Sequence, residues 1–426
     1  MICRNEGDVV KVWIVSVGEP LPVDGENVRL RRMGNLAMYL STKEKVDVEW
    51  FSVSFDHYKK IQRCNQNTDY DINEKFKMHL VYVNGYKKNV SLARIIHHKM
   101  AGKRIEHRMR ELEKPDIIFS SMEPLEVSKA TAKFAKENGI PYIVDVRDLW
   151  PEIYYDVIPR VLHPILKIYV DSCAKSLNYT LGNCDSIVGL SNGFLEYGLK
   201  YAQRARQEKD AVYPIAYPNY DYNAYKDSFD RCWNKFKLNK EDFIVSFLGN
   251  FGDQFKFEEI IFAANYFKDK YKDIKFVLCG NGKNEETVRK SVGENVVIPG
   301  WIEKEQILSL MYYSKIGIAP YIDSMNYRLN TPNKFGEYLS AGLPIVVSVK
   351  GEMDNLLKEN KCGFSYQNSK ELTDIIEFYY NNRQIQIEHS QNARHLYEEM
   401  FNGDTVNQKI YNHILMVKEE NQYVTL

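Results

Sequence analysis

Residues 330–347 read Asn330-Thr-Pro-Asn-Lys-Phe-Gly-Glu-Tyr-Leu-Ser-Ala-Gly-Leu-Pro-Ile-Val-Val347. A loop containing Lys334 and Gly336 leads into a predicted helix start that carries Glu337, and an apolar strand follows. The amides that open a helix bind anions because they lack partners within the helix and point along its dipole. Lys334 can meet a phosphate and Glu337 can accept hydrogen bonds from a ribose diol, which favours a nucleotide-sugar site. An ordinary βα unit with a solvated Lys334–Glu337 pair would give the same pattern.

The composition indicates a folded protein of about two domains with no bias toward a polyanionic partner. A chain of 426 residues is too long for one ordinary hydrophobic core. Its hydrophobic content of 44% and charged content of 27% are those of a folded protein. Because the formal net charge is zero, we expect no nucleic-acid partner.

The cysteines and the N-terminal sequence favour a cytoplasmic protein. The seven cysteines are scattered without a C-x-x-C pair, which predicts reduced thiols. The first eight residues are polar and charged overall, so we expect no signal peptide. No run of about 18 apolar residues occurs, and we expect no membrane-spanning segment.

Short apolar runs alternate with segments of helical length, a pattern typical of parallel sheets covered by helices. The strands predicted for a first domain are Val10–Val17, Val46–Val53, Phe76–Val83, Asp116–Ser120, Tyr142–Val146 and Ser186–Leu190. Residues 213–222, dense in tyrosine and proline, predict the connection between domains. The strands predicted for a second domain are Phe243–Leu248, Lys275–Leu278, Val296–Pro299, Ile316–Ala319 and Ile345–Val349. Two such halves place the main cleft at the carboxyl ends of their strands.

The loops that follow these strands carry small motifs in a fixed order. They are Gly18-Glu-Pro-Leu-Pro22, Asp145-Val-Arg-Asp-Leu-Trp-Pro-Glu152, Gly249-Asn-Phe-Gly252, Gly280-Asn-Gly282, Pro299-Gly-Trp301, Ala319-Pro-Tyr321 and Pro332-Asn-Lys-Phe-Gly-Glu337. In this order and spacing, over about residues 10–400, the chain resembles the family 4 glycosyltransferases of GT-B fold. More narrowly, it is similar to bacterial capsule and O-antigen sugar transferases, including the N-acetylfucosaminyltransferase-like group.

The resemblance implies an α/β protein of two Rossmann-like domains whose parallel sheets face each other across a cleft. It places an acceptor-side domain at 1–222, a nucleotide-sugar donor domain at 223–403, and a C-terminal helix at 404–426 that returns to the first domain. The implied activity is that of a retaining hexosyltransferase that needs no metal or cofactor. It would move a sugar from a nucleotide diphosphate, with UDP favoured, to a lipid-linked or oligosaccharide acceptor in surface polysaccharide synthesis.

The donor site must provide positive charge, because negative charge builds on the diphosphate as the sugar–phosphate bond breaks. Lys334 and the amides near Gly336 are the main candidates, with Arg328 and Lys256 as further cations. By resemblance, Glu337 binds the ribose hydroxyls and the turn at Trp301 pairs with the nucleobase. The full set of implied donor-binding residues is Gly18, Glu19, Gly249, Asn250, Gly280, Asn281, Trp301, Ile302, Arg328, Asn333, Lys334, Phe335, Gly336 and Glu337.

The chain departs from the family pattern at Leu329. A second glutamate is expected eight positions before Glu337, and a leucine cannot hydrogen-bond the hydroxyls of the donor sugar. An apolar side chain here should penalise a hydroxyl-rich donor by on the order of 1–3 kcal/mol. A deoxysugar or another less polar donor is therefore the hypothesis from sequence.

Charged residues at the end of the predicted strand Tyr142–Val146 form the candidate site of the first domain. We expect Arg147 and Asp148 to position substrate hydroxyls, with Asp145 either on the acceptor side or paired with Arg147. Glu123 is a neighbouring acceptor-side carboxylate. Burial and mutual proximity could tune the pKa values of such groups, although structural ion pairs would look the same in sequence.

Several other charged groups have weaker functional signals. Arg29 and Arg32 could touch phosphate, but the pattern favours cations on a helix face. Asp69-Tyr-Asp71 resembles a metal-binding D-x-D motif, yet it is expected in a polar loop rather than after a core strand. His97 and His98 lack the spacing of metal ligands, so we predict no metal site.

Residues 87–110 hold eight basic side chains and one acidic side chain, with apolar residues at helical spacing between them. A basic amphipathic helix of this kind can lie on an anionic bilayer. A solvated helix face would give the same pattern. With the preceding signals, the segment favours a peripheral protein on the inner face of a bacterial plasma membrane.

Two other activities remain compatible with the motifs. A GT-B nucleotide-sugar epimerase would turn over the donor without an acceptor. A catalytically silent subunit that binds a partner transferase would explain Leu329. A nicotinamide dehydrogenase is disfavoured, because no G-x-G-x-x-G follows the first predicted strand.

Overall fold

The apolar runs of the first half pair into one sheet in the computed structural model, which describes residues 9–26 and 28–424, with the backbone alone at 156, 157 and 422–424. Residues 1–8, to which the expectation about a signal peptide applies and which include Cys3, lie outside the described residues. The strands of this half are β1 (Val10–Val15), β2 (Val46–Val53), β3 (Phe55–Asp56), β4 (Ile61–Gln62), β5 (Thr68–Asn73), β6 (Phe76–Val81), β7 (Ile117–Ser121), β8 (Tyr142–Val146), β9 (Ser186–Gly189) and β10 (Ala211–Val212).

The first sheet has the order β10-β9-β8-β7-β1-β2-β6-β5, and it is parallel except for the β5–β6 pair. Strand β1 lies in its middle and pairs with β2 and β7 on either side. Trp13 and Ile14 of β1 are fully buried. A parallel sheet covered on both faces requires such continuous apolar strands, which is why the sequence shows runs rather than alternation.

The helices of this half are α1 (Arg32–Ser41), α2 (Leu92–Glu111), α3 (Leu125–Asn138), α4 (Tyr154–Val157), α5 (His163–Gly182) and α6 (Asn192–Ala202). From β6 the chain steps through β7, β8, β9 and β10 toward one edge of the sheet. Because such crossovers are right-handed, α2, α3 and α5 lie on the same face, and α3 packs between the other two. Helix α1 connects strands in the opposite direction and covers the other face.

The second half forms a fully parallel sheet of order β13-β12-β11-β14-β15-β16. Its strands are β11 (Phe243–Leu248), β12 (Ile274–Cys279), β13 (Val296–Gly300), β14 (Ser314–Ala319), β15 (Ile345–Val347) and β16 (Gly363–Ser365). Its helices are α7 (Phe229–Trp233), α8 (Phe257–Phe267), α9 (Glu285–Ser291), α10 (Lys304–Tyr313), α11 (Met325–Leu329), α12 (Asn333–Ser340), α13 (Glu352–Glu359), α14 (Ser369–Asn381) and α15 (Arg383–Leu396). The prediction of two parallel α/β halves is confirmed.

The last helix, α16 (Gly403–Val424), returns to the first half. Compact unit 1 comprises the chain up to Tyr213 and from Asn407 onward, and unit 2 comprises Pro214–Val406. Ser186 Oγ lies 2.9 Å from His413 Nε2, and the Tyr39 hydroxyl donates to Gln408 Oε1 at 2.6 Å. The chain changes unit at 213/214 and 406/407, whereas the sequence suggested 222/223 and 403/404.

Asp69-Tyr-Asp71 lies in β5 and not in a polar loop, so this prediction is wrong. The strand is antiparallel and at the sheet edge, where alternate residues face solvent. Asp69 accepts a hydrogen bond at 2.5 Å from Arg108, and Asp71 lies 3.4 Å from the Lys77 ammonium. Polar composition hid the strand because its exposed face carries the charges.

Two observations bear on membranes and metals. Within the described ranges, no helix has the length and apolar composition needed to cross a membrane. In that same part of the chain, no group of three or more His, Cys, Asp or Glu side chains is arranged to hold a metal ion.

Candidate functional site

Lys334 lies in the first turn of α12, and its side chain reaches the end of β11. Its ammonium donates to the Leu248 carbonyl and lies 4.9 Å from the ring centroid of Phe247 and 5.0 Å from that of Phe255. Burial lowers the pKa of Lys334 from 10.5 to about 8, and the charge of Glu337 opposes this shift. The helix start therefore presents a poorly solvated cation, which favours an anionic ligand.

Glycines at two strand ends make this arrangement possible. Gly249 follows β11 with φ +154°, and a Cβ there would overlap the Lys334 ammonium. Gly280 follows β12 with φ +128°, and a Cβ there would overlap the Gly249 carbonyl. Only glycine permits both the backbone conformation and the close approach. The motifs at 249 and 280 thus meet beside Lys334.

Glu337 lies one turn after the helix start and is oriented by Tyr217. The Tyr217 hydroxyl donates to Glu337 Oε1 at 2.8 Å, and Oε2 makes no hydrogen bond with a described residue. Tyr217 is itself held by its backbone, since its N–H donates to Phe401 O at 2.8 Å and its carbonyl accepts from Gly403 N at 3.0 Å. Sequence reasoning missed Tyr217, because it lies in the stretch interpreted only as a connection.

The remaining predicted donor residues lie at neighbouring strand ends of the same sheet. The Gly280 N–H donates to the Gly300 carbonyl at 2.8 Å, which joins the ends of β12 and β13. Trp301, next in the chain, is 76% exposed and does not pack in the core. Ile302 is buried, whereas Asn250 and Asn281 are exposed.

The other candidate cations have protein partners. Arg328 forms two hydrogen bonds of 2.6 Å with Asp323, and the Lys256 ammonium lies 3.6 Å from Glu259. Asn333 is exposed, and Phe335 is fully buried with its ring 5.6 Å from that of Phe401. Lys334 is therefore the better placed of the three candidate cations for an anion at the start of α12.

Three side-chain oxygens in residues 326–331 are buried without a hydrogen-bond partner among the described residues. They are Asn326 Oδ1, Asn330 Oδ1 and Thr331 Oγ1. Thr331 is almost fully buried, and Leu329 lies between these residues at the end of α11. Since buried polar groups nearly always have partners, this segment is suited to receive polar ligand groups. From sequence only Leu329 was interpreted, and the polar residues beside it were missed.

In unit 1, Glu19 and Arg147 form a buried pair at the strand ends. Arg147 Nη1 donates to Glu19 Oε1, and Glu19 Oε2 accepts from the Met33 N–H at 3.1 Å. Glu19 thus connects the loop after β1 with the start of α1 and fixes the guanidinium of Arg147. Gly18 precedes it with φ +87°, a conformation that favours glycine.

Asp145 pairs most closely with Arg32, a partner that the sequence did not indicate, and at longer range with Arg147, the partner expected from sequence. Arg32 donates from Nε at 2.8 Å and from Nη2 at 3.0 Å, while Arg147 Nε lies 3.9 Å from the same carboxylate. Arg32 and Asp145 are both buried, so Arg32 is not a cation on a solvated helix face. Arg29 is exposed. The pair is invisible in sequence because its members are 113 residues apart.

Glu123 and Asp148 face Arg147 from the ends of β7 and β8. Burial, and then the charge of Asp148, raises the pKa of Glu123 to about 8, while Arg147 opposes this shift. Burial also raises the pKa of Asp148, again opposed by Arg147. Glu123 Oε1 has no hydrogen-bond partner among the described residues. At neutral pH this pair holds a proton, so it can both donate to and accept from a hydroxyl group.

The basic segment at 87–110 carries less available charge than its composition suggested. Arg108 and Arg110, near the end of α2, form ion pairs with acidic residues. Their partners are Asp69, Glu111, Glu106 and Glu137. His97 and His98 are buried against the unit, and burial lowers the pKa of His98 to about 3. The remaining exposed lysines are Lys87 and Lys88 before the helix and Lys99 and Lys103 within it.

Residues 230–396 match the family model described as Glycosyl transferases group 1, and no curated protein sequence matches the chain. Three solved structures resemble nearly its whole length. HepE of Anabaena in complex with UDP shares 13% identity with a TM-score of 0.62, covering 95% of this chain and 99% of HepE. Sucrose-phosphate synthase of Thermosynechococcus elongatus shares 13% identity with a TM-score of 0.67, covering 95% and 98%. WaaG, a glycosyltransferase involved in lipopolysaccharide biosynthesis, shares 12% identity with a TM-score of 0.61, covering 95% and 99%.

These comparisons agree with the two parallel sheets and with the location of the Lys334 cluster inside the matched domain. At such low identity the structural likeness establishes the fold and not the substrate. The chain therefore has the GT-B fold, and the group 1 domain at residues 230–396 supports a glycosyltransferase.

Proposed function

We propose that this protein is a retaining hexosyltransferase of family 4 type. It transfers a sugar from a nucleotide diphosphate, with UDP favoured, to a lipid-linked or oligosaccharide acceptor in capsule or O-antigen synthesis. The observation that carries the proposal is the Lys334–Gly249–Glu337 cluster inside the group 1 domain. Complexes of HepE with UDP and with UDP-glucose support a UDP-sugar donor.

Lys334 and the first amides of α12 stabilise the departing diphosphate. The ammonium is partly desolvated, so its interaction with phosphate is stronger than that of an exposed lysine. Glu337 accepts hydrogen bonds from the ribose diol through Oε2, while Tyr217 holds Oε1. The proposal includes no metal or cofactor, and transfer that persists in the presence of EDTA would support this part of it.

Neutral oxygens, instead of a carboxylate, bind the sugar end of the donor. Leu329 removes the expected acceptor, and Asn326, Asn330 and Thr331 offer three buried oxygens nearby. Amide and hydroxyl oxygens suit a donor with few hydroxyls or with an acetamido group. Equal turnover of glucose-type and deoxysugar donors would contradict this assignment.

The carboxyl cluster of unit 1 is the acceptor side. Burial raises the pKa values of Glu123 and Asp148 and Glu19 fixes Arg147, so the three can orient an acceptor hydroxyl. We assign no covalent nucleophile. Asp145 lies next to the cluster in the chain and is held by two hydrogen bonds from Arg32.

Thermal-shift measurements with UDP-, GDP- and dTDP-sugars test the donor assignment. A ligand at about 100 times its dissociation constant stabilises the folded state by about 2.7 kcal/mol, which gives a measurable shift. Lys334→Ala and Glu337→Ala should remove the shift, whereas Lys256→Ala, a cation of the same domain paired with Glu259, should retain it. A full thermal shift in both variants would show that the donor binds elsewhere.

Product analysis separates the proposed transferase from the two other activities. Conversion of the donor sugar without any acceptor would indicate an epimerase. Nucleotide-sugar binding without turnover toward any acceptor would indicate a silent subunit. The proposal includes peripheral attachment to the cytoplasmic face of the membrane through residues 87–110, where exposed lysines remain near the start of α2.

A further inference from the structure

The start of α5 exposes the largest concentration of apolar side chains on the described surface. Val161 is 84% exposed, Leu162 47%, Ile165 71% and Ile168 73%. These four side chains lie within eight residues of the chain. A folded protein that keeps its apolar side chains in water at such density usually buries them against a partner or a membrane.

These exposed side chains do not belong to the face of α5 that packs on the unit. The opposite side of α5 packs on the unit through Leu166, Val170, Cys173 and Leu177, all buried. Beyond the second turn the outward positions are polar, with Asp171 exposed. In its first two turns α5 thus exposes Ile165 and Ile168 beside Lys167, which pairs with Asp171 at 2.7 Å, so apolar and charged groups share this outward face.

The start of α2 exposes a second apolar group on the same side of unit 1. Val90, Leu92 and Ile96 are all more than half exposed. Arg94 of this helix lies 5.4 Å from the ring centroid of Trp150, in the loop that follows β8.

A row of aromatic rings continues from that contact to α5. The ring centroids of Trp150 and Tyr154 are 4.9 Å apart, and those of Tyr154 and Tyr169 are 5.5 Å apart. This row connects the two helix starts, and we call their exposed apolar residues the helix-start surface. Its residues are Val90, Leu92, Ile96, Val161, Leu162, Ile165 and Ile168.

The helix-start surface lies at the carboxyl edge of the first sheet. Helices α2 and α5 follow β6 and β8, and a helix that follows a parallel strand begins at that edge. Trp150 is two residues beyond Asp148, so the surface adjoins the acceptor-side cluster. A partner bound here lies next to Glu123 and Asp148.

Positive charge flanks the apolar residues. Lys87, Lys88, Lys99 and Lys103 are exposed and form no salt bridge with a described residue. Lys99 and Lys103 continue the outward face that begins with Leu92 and Ile96, as their helical spacing shows. An apolar patch with a basic border matches an anionic bilayer, whereas a second copy of this surface would bring like charges together.

We propose that the helix-start surface docks this protein on an anionic lipid bilayer, with the first two turns of α5 among the lipid headgroups and acyl chains. The membrane contact thus consists of two helix starts rather than of residues 87–110 as a whole. The start of α5 provides most of its apolar area. The identity of the acceptor follows from this surface and rests on the proposed function. The acceptor is carried on a lipid and is presented at the sheet edge beside Asp148.

Vesicle flotation of the full chain tests the surface without any donor. We expect the protein to float with vesicles of phosphatidylcholine and phosphatidylglycerol and not with phosphatidylcholine alone. The Ile165→Ser/Ile168→Ser double variant should lose at least tenfold in partitioning, with an unchanged melting temperature. Phe262→Ser, which removes an exposed apolar ring of unit 2, should float like the wild type. Lys87→Gln/Lys88→Gln should weaken the preference for the anionic lipid.

Equal flotation of the double variant and the wild type would overturn the proposal. So would a wild-type dimer in solution that the double variant abolishes, because the surface would then be a contact between copies. Transfer to a water-soluble acceptor, measured in parallel, separates the two proposals. Transfer without flotation removes only the lipid surface, whereas flotation without transfer from any nucleotide sugar removes the proposed function.

Discussion

Replacement of Lys334 by methionine is expected to stabilise the unliganded protein while it weakens donor binding. The ammonium lies against the Leu248 carbonyl and two aromatic rings, and burial lowers its pKa from 10.5 to about 8. The folded protein therefore holds this proton less tightly than the unfolded chain does. Methionine has a similar length and no charge, so the variant removes that unfavourable interaction.

The expected gain in stability follows from the size of the pKa shift of Lys334. A fall of about 2.5 pKa units destabilises the protonated folded state by about 3 kcal/mol, and loss of the hydrogen bond to Leu248 offsets about 1 kcal/mol. Lys334→Met should thus be more stable than the wild type by about 2 kcal/mol at neutral pH. Between the folded and unfolded pKa values the unfolded chain binds more protons, so wild-type stability rises with pH there, by about 2 kcal/mol from about pH 7 to about pH 9.5.

Urea unfolding of the wild type, Lys334→Met and Lys256→Met over this pH range measures the effect. The difference between the wild type and the first variant cancels the other titrating groups, and the second variant controls for loss of a more exposed lysine paired with Glu259. Calorimetry with UDP should show about 10- to 100-fold weaker binding for Lys334→Met, the range expected for a lost hydrogen bond from a charged group. Lower stability of Lys334→Met at every pH, or unchanged UDP affinity, would refute the reasoning.

Three further predictions concern buried groups. Tyr217→Phe should raise the UDP dissociation constant about five- to tenfold, because Glu337 loses its orienting hydrogen bond, with an unchanged acceptor KM and melting temperature; an equal rise in the acceptor KM would argue against it. Arg32→Met should lower the free energy of unfolding by about 3 kcal/mol in urea titrations, since it removes the nearer partner of the buried Asp145 carboxylate, and the double variant with Asp145→Leu should recover most of the loss. Glu123 binds its proton more tightly when folded, so wild-type stability should fall as pH rises from about 4.5 through about 8, whereas the melting temperature of Glu123→Gln should not show this fall; parallel curves would contradict the assignment.

Much of unit 2 was predictable because its signals are local. An apolar run followed by glycine marks a buried parallel strand and its turn, and a lysine three residues before a glutamate marks one face of a helix start. These patterns correctly placed the strands, whereas the approach of Lys334 to Gly249 appears only in the structure. They failed at β5, where a polar edge strand has no apolar run.

Contacts between distant segments could not be predicted in this way. Tyr217 and Glu337 are 120 residues apart, and Arg32 and Asp145 are 113 residues apart. Composition shows that charged and aromatic residues are present, but not which of them share a buried volume. The partner of Asp145 was accordingly assigned to its neighbour Arg147.

The sequence alone determined the fold class and the order of strand-end motifs, and it predicted Lys334 and Glu337 as donor-binding residues. It did so because hydrophobic periodicity and turn residues act over a few positions. The tertiary structure alone decided which ionisable groups are desolvated, which oxygens lack partners, and that the start of α5 remains uncovered. Periodicity shows that a helix has an apolar face, whereas only packing shows whether the protein itself covers that face.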